Sequence, residues 1–387
     1  MFTRKDLEDC ETKNLASGAV KSRFSRGRGT SEKEHPYRSV YQRDRDRIVH
    51  SAAFRRLEYK TQVFVYHEGD YYRTRLTHTL EVAQISRVIS RALRLNEELT
   101  EAIALAHDLG HTPFGHAVEE VLDEFTRAEA GFNHNAQSLR VVDRLEQRYP
   151  SFGGLNLSWE TREGIIKHAG GGALSFIEPH PEFDPQSQPS LEAQVMDVAD
   201  EIAYDNHDID DGLKSGMIEE DELKRLSLWK ETSRKVKKSY CGVTREQRLF
   251  LIIREMINQE VTDLINNTSH NLRRCGLKDQ EAVHQCPQRL SVFSPAMQQQ
   301  REELRRSIYR RLYCNWRVLR MSDKARRFTK SLFHVYTGDP QLMPPSFRRG
   351  EPAATSVKRS ACDYIAGMTD RYALEEYRKL FDPYEKV

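Results

Sequence analysis

The sequence predicts an all-α protein, and three observations carry that reading. Apolar residues recur at helical spacing over long stretches, most clearly at 76, 80, 82, 85, 88, 89, 93 and 95 within RTRLTHTLEVAQISRVISRALRL (73–95). No stretch sustains the alternation of a half-buried strand, and the chain carries no internal repeat, no glycine-rich phosphate loop and no nucleophile elbow. The acids, histidines and tyrosines that could carry chemistry fall on these helical stretches or at their ends. With 387 residues, 38% hydrophobic and 30% charged, the chain can build one large domain or two ordinary ones.

A net charge of +2 gives no global field for nucleic acid or membrane, although 21–28 (KSRFSRGR) and 301–320 are locally basic. Six cysteines (10, 241, 275, 286, 314 and 362) form no C-x-x-C pair, which points to a reduced protein with neither a disulfide frame nor a zinc ribbon. No apolar run approaches the ~18 residues of a membrane span. The N-terminus lacks the charged-then-apolar pattern of a signal peptide, so the expected location is cytoplasmic.

In chain order, residues 1–35 are polar, Gly/Ser/Arg-rich and without period, and read as a flexible basic N-terminal segment. From Tyr41 a helix is expected, then an extended piece reaching Val63, with the Arg/Asp alternation forming a salt-bridged face. His78 lies near the start of the 73–95 helix. Thr100–Ala106 reads as an apolar helix that delivers His107 and Asp108 at its end, and Gly110, Pro113 and Gly115 then break the backbone. A neutral imidazole beside a carboxylate suits a borderline or hard divalent cation; a capping Asp with surface histidines is the plainer alternative. Helices are expected over 135–149 and 159–168, and a Gly/Pro-rich irregular loop over 169–189.

In LEAQVMDVADEIAYDNHDIDD (191–211), Asp200, Tyr204 and Asp208 stand at i, i+4 and i+8 and form one column on a helix. That column is either a metal ligand with a substrate-reading strip or a solvated acidic face. The stretches 249–265 and 304–336 are amphipathic and Arg-rich with no evident chemistry, 340–352 is a Pro-punctuated linker, and 357–381 reads as a terminal helix pair.

The order His78, His107-Asp108, Asp200 on separate helices resembles the HD-domain metal-dependent phosphohydrolases. RDRDRIVHSAAFRRLEYKTQVF, RTRLTHTLEVAQI, HDLGHTPFGHAVEE, FNHNAQSLR, DVADEIAYDNHDIDDG and DYIAGMTDRYA narrow the resemblance to deoxyguanosine-triphosphate triphosphohydrolase-like proteins, from about 37 to 381. The resemblance implies an HD-domain helical core over 36–215. Residues 216–387 are then expected to form a helical region packing on the core and on neighbouring subunits of a homo-oligomer. The implied activity is hydrolysis of a dNTP to deoxynucleoside and inorganic triphosphate. By motif match His78, His107, Asp108 and Asp200 would ligate a divalent metal ion (Mg, Mn, Fe, Co or Ni), and His116 and Glu119 would be the catalytic pair. Gln62, Tyr204 and Asp208 fall at sugar-side positions, and Arg75, His134 and Lys167 (with His168 beside it) at phosphate-side positions. A second dNTP acting as activator and weak binding of single-stranded nucleic acid are further expectations.

The chemistry is coherent from the residues up. Two His and two Asp nearly neutralise a divalent ion and leave open positions, and such an ion can polarise a phosphoryl group. Loss of the 5′-oxygen needs a proton transfer, for which an imidazole at His116 suits, with Glu119 three residues on to orient it. Arg75 precedes His78 by one turn and could clamp phosphate oxygens. A phenol at Tyr204 under the sugar leaves no room for a 2′-hydroxyl, while Gln62 and Asp208 could bond the 3′-hydroxyl. Two rivals stay open: an HD-type nucleotidase or diesterase, and a nucleic-acid-binding HD module.

Overall fold

The computed structural model describes residues 1–62, 72–170, 172–176, 182–348 and 356–386. Val63, part of the 169–189 loop and the end of the 340–352 linker lie outside them. The described residues hold helices and isolated bridges but no strand.

The long helix Arg75–Leu93 packs against Glu97–Ala106 and Leu191–Lys214, and these three helices form the centre of the molecule. Each begins on a side chain that caps it: Thr74 accepts from Thr77 N, Asn96 from Leu99 N and Ser190 from Ala193 N. The apolar stripe Val82, Ile85, Ile89 and Leu93 is buried against Leu99, Ala102, Ile103, Val195, Ala199 and Ile202. At Gly164 in the Trp159–Ile166 helix a Cβ would lie 2.5 Å from Ile103, so the absence of a side chain sets how closely that helix can approach.

The C-terminal half contributes to two cores. Residues of Arg245–Cys275 and Pro295–Ile308 join the central cluster. Trp316–Gly338 and Val357–Ala366 instead build a second cluster around Val118, Leu122 and Phe132, on the far side of the His116–Thr126 helix. The terminal pair expected over 357–381 is present as Val357–Ala366 and Asp370–Phe381.

One expectation needs correction. Residues 1–35 are not an unpatterned lead-in: Arg4–Asn14 is helical, and Ala19 and Val20 are buried. Glu192 Oε1 accepts from Val20 N at 3.0 Å, Glu160 accepts from Arg26 N at 2.7 Å, and Arg28 donates to Asn156 O at 2.6 Å. Two of these ties come from the segment's own backbone and one from the Arg28 side chain. The locally basic stretch that begins at 301 turns its first arginine inward. Arg301 is fully buried and meets Glu260 at 3.0 Å, Glu201 at 3.0 Å and Asp205 at 2.7 Å, and Arg305 meets Asp205 at 2.8 Å. The 304–336 stretch is also interrupted, by a π-turn at Tyr309–Tyr313.

Candidate active site

His107 caps the C-terminus of Glu97–Ala106, and Asp108 follows it. The turn beneath them is fixed by Gly110, where a Cβ would fall 2.1 Å from Ser138 N and 2.3 Å from His134 O, so no other residue fits. Ser138 locks the turn from the other side: its Oγ accepts from Gly110 N at 2.8 Å and donates to His107 O at 2.7 Å. His107 Nδ1 donates to the Ala104 carbonyl at 2.6 Å, which leaves the lone pair on Nε2. That Nε2 is buried and has no hydrogen-bond partner.

His78 comes from the first turn of Arg75–Leu93 and Asp200 from the middle of Leu191–Lys214. Ligand atoms of His78, His107 and Asp108 lie within 4.8 Å of one another. Asp200 Oδ1 lies 2.9 Å from His78 Nε2 and 3.7 Å from His107 Nε2. Burial pushes the Asp200 carboxyl upward, but His78 and His107 outweigh it and hold Asp200 well below the usual carboxylate range. Asp108 behaves alike, with His107, His111 and Arg75 opposing its burial. An orphaned imidazole nitrogen facing two ionised carboxylates and a second imidazole is a donor set that fits a divalent cation.

A second group of side chains flanks this cluster. Gly115, at φ +62°, turns the chain into the His116–Thr126 helix, and a Cβ there would lie 3.3 Å from Arg75 Nη2. Glu119 sits one turn into that helix. Its Oε2 bonds His116 Nδ1 at 3.0 Å, and its Oε1 accepts from His134 N at 3.0 Å and meets His134 Nδ1 at 2.9 Å. Burial would raise the Glu119 carboxyl, but the bonds from His116 and His134 outweigh it and hold the group ionised far into acid. His116 itself is largely exposed. His111 stacks on His134 with ring centroids 4.0 Å apart and reaches Asp108 Oδ1 at 3.2 Å, which joins the two groups.

Arg75 also joins them, with Nη1 3.1 Å from Asp108 Oδ2. Lys167 is placed elsewhere: its ammonium bonds Glu163 at 3.0 Å and Ser187 Oγ at 2.6 Å. His168, the next residue, is the one that reaches the cluster, at 3.6 Å from Asp200 Oδ2 and 2.5 Å from Asp197. Burial opposes its charged form, yet Asp197 and Asp200 lift His168 to about 9.

Tyr204 and Asp208 are on the same helix as Asp200, and a residue that the sequence reading did not single out completes their group. Tyr313, from the π-turn, donates to Asp208 Oδ2 at 2.6 Å and contacts the Tyr204 hydroxyl, its ring parallel to that of Tyr204 at 6.3 Å. Asp208 Oδ1 is buried without a hydrogen-bond partner, and so is Gln62 Oε1 at the edge of the described residues. Burial raises the Asp208 carboxyl well above its ordinary range.

The HD domain family matches residues 75–205, the span that contains the four cluster residues. The phosphohydrolase-associated domain family matches 291–379. A deoxyguanosinetriphosphate triphosphohydrolase-like protein of Geobacter sulfurreducens is 50% identical over 389 residues, covering 100% of each chain. The chain belongs to this HD-domain family. Similarly named proteins of Geobacter metallireducens (48% identical, 97% of each chain) and Azoarcus sp. (50% identical, 95% of this chain and 96% of the other) extend the likeness. Family membership makes the chain an HD-type hydrolase. Among the described residues no helix is long and apolar enough to cross a membrane.

Proposed function

We propose that this chain hydrolyses deoxynucleoside triphosphates, dGTP or several of them, to the deoxynucleoside and inorganic triphosphate. The observation that carries this reading is Arg75, which bonds Asp108 of the His/Asp cluster and passes against Gly115, the residue before His116. A cation-binding cluster, a cationic clamp and a His–Glu pair are thereby held side by side. His78, His107, Asp108 and Asp200 would hold a divalent cation (Mg, Mn, Fe, Co or Ni), which when bound supplies Lewis-acid polarisation of the α-phosphoryl group.

His116 transfers the proton that the scission needs, to the departing 5′-oxygen or from the attacking water, and Glu119 holds its ring through Nδ1. Arg75 and His134 carry the phosphate-side role; Lys167, engaged with Glu163 and Ser187, has the weaker claim. Tyr204 would exclude a 2′-hydroxyl, and the unpartnered oxygens of Asp208 and Gln62 would bond the 3′-hydroxyl.

Beyond the substrate, we propose a cytoplasmic homo-oligomer and a second dNTP as activator. Weak binding of single-stranded nucleic acid would fall to Arg306 and Arg310, which line a cleft of about 750 Å³, while Glu222 and Glu303 in its wall limit that affinity.

The test is product identification. The protein is incubated with Mn²⁺ or Mg²⁺ and each of the four dNTPs, singly and mixed. Deoxynucleoside with intact triphosphate is expected, and faster turnover in the mixture would reveal the activator. Monophosphate with pyrophosphate would overturn the assignment of His116.

A further inference from the structure

A metal-ligating imidazole usually donates its second ring N–H to a carboxylate, carbonyl or water, and that bond sets both tautomer and ring plane. His107 does so through the Ala104 carbonyl. His78 has a different arrangement. Its Nε2 faces Asp200, and its Nδ1 meets Nδ1 of His207 at 3.3 Å, with the two rings nearly perpendicular at 85°.

We propose that His207 is the positioning residue for His78, an inference that rests on the ligand set proposed above. Two facing imidazole nitrogens can share only one hydrogen. If His78 offers the Nε2 lone pair to a cation, its hydrogen is on Nδ1 and Nδ1 of His207 must accept it. His207 then carries its own hydrogen on Nε2, which lies against Oε2 of Glu81. The polarity therefore runs one way, from His78 to His207, with the Glu81 carboxylate in contact with the far nitrogen of His207.

Glu81 in turn pairs with Arg73 Nε at 3.3 Å, and Arg73 Nη1 reaches Asp210 at 2.7 Å and Asp211 at 2.9 Å. His78 and His207 are buried, whereas the Glu81 side chain is 40% exposed. The chain is thus anchored at a wetter end where a carboxylate stays ionised. The opposite polarity would place a hydrogen on His78 Nε2, between it and Asp200, and close the ligand position. A carboxylate at the far end disfavours that polarity, because Glu81 has no hydrogen to give.

The full-length variants His207→Leu, His207→Asn, Glu81→Ala and His78→Ala are stripped with chelator and titrated with Mn²⁺, the free ion being followed by electron paramagnetic resonance. His207→Leu should weaken Mn²⁺ about ten- to a hundredfold. His207→Asn, whose amide oxygen can accept the same hydrogen, should recover most of that loss, a rescue that a merely space-filling role would not give. Glu81→Ala should weaken Mn²⁺ less than His207→Leu, and it replaces that variant should His207→Leu fail to fold. Parent affinity in His207→Leu, equal losses in the Leu and Asn variants, or parent affinity in Glu81→Ala would each overturn the proposal. His78→Ala separates the layers: parent affinity there removes the ligand set itself, while its loss beside an unaffected His207→Leu removes only the positioning role.

Discussion

Replacing Glu119 by glutamine tests the proton-transfer assignment with little change in volume. Oε1 of Glu119 takes the backbone N–H of His134 and lies beside His134 Nδ1, while Oε2 takes His116 Nδ1. A glutamine has one oxygen, and the His134 N–H, which can only donate, claims it. The amide NH₂ is then left facing His116 Nδ1. That reverses the polarity of the contact, so the His116 hydrogen moves to Nε2 and the ring presents the wrong tautomer. Loss of one charge-assisted bond alone is worth about 1.5–3 kcal/mol. A misplaced tautomer adds to this, so the full ~10²–10⁴-fold range of general acid–base catalysis is at stake, about 3–5 kcal/mol. Steady-state kinetics on dGTP should show kcat falling by that factor, with KM near the parent value. Mn²⁺ affinity at the His78, His107, Asp108 cluster should not change, because Glu119 belongs to the neighbouring His111, Glu119, His134 group instead. A kcat within tenfold of the parent, or a loss confined to KM, would refute the role given to the His116–Glu119 pair.

Two more outcomes follow from other parts of the molecule. Tyr204→Ala removes the ring that faces Tyr313 and should admit GTP, lowering the dGTP/GTP ratio of kcat/KM by about ten- to a hundredfold; an unchanged ratio would remove Tyr204 from sugar selection. Glu192 is fully buried, and burial raises its carboxyl to about 7 despite the bonds from Asn96 N and Val20 N. Its folded pKa thus lies above the unfolded value, so the protonated form is favoured on folding and the cost of ionisation appears as pH rises from about 4.5 to 7. Chemical denaturation should show Glu192→Gln gaining on the parent across that window, by at most about 3 kcal/mol, and level with pH above it; parallel pH profiles would count against the buried, protonated carboxyl.

Helical spacing drew attention to His107-Asp108 at a helix end and to the Asp200 column, but His78 entered the set only through the family resemblance, because spacing within one helix does not say which helices meet. The sequence was less informative where position depends on the tertiary path. Lys167 and His168 are neighbours at a helix terminus, so they diverge by about 100°, and only the packed structure shows that His168 turns to Asp200 while Lys167 turns to Glu163. Tyr313 belongs to a π-turn more than a hundred residues beyond Tyr204, and nothing local marks it as part of that group. His207 sits in a run of acids, and its value lies in the His78 nitrogen across the helix interface. The N-terminal segment misled for the same reason, since composition records charge but not the buried carboxylates of Glu160 and Glu192 that receive its backbone.

Besides contributing Tyr313, the C-terminal region shapes the site by holding the backbone of the turn before His116. Asp370 accepts from Phe114 N at 2.9 Å and Thr61 N at 2.8 Å, so one carboxylate holds both the turn before His116 and the residue before Gln62. Lys60 donates to the carbonyls of His111 and Ala366, which ties that turn to the end of the Val357–Ala366 helix. Burial, with Arg56 and Arg75 nearby, lowers Lys60 to about 7, so this bridge is costly to keep charged and depends on both carbonyls being in place. An unpaired buried donor or acceptor costs about 1–3 kcal/mol. Several such groups would be released together if residues 366–370 were withdrawn. The turn carrying His111 and His116 is therefore a joint product of the segments matched by the HD domain and the phosphohydrolase-associated domain. Its geometry cannot be inherited from the HD segment alone.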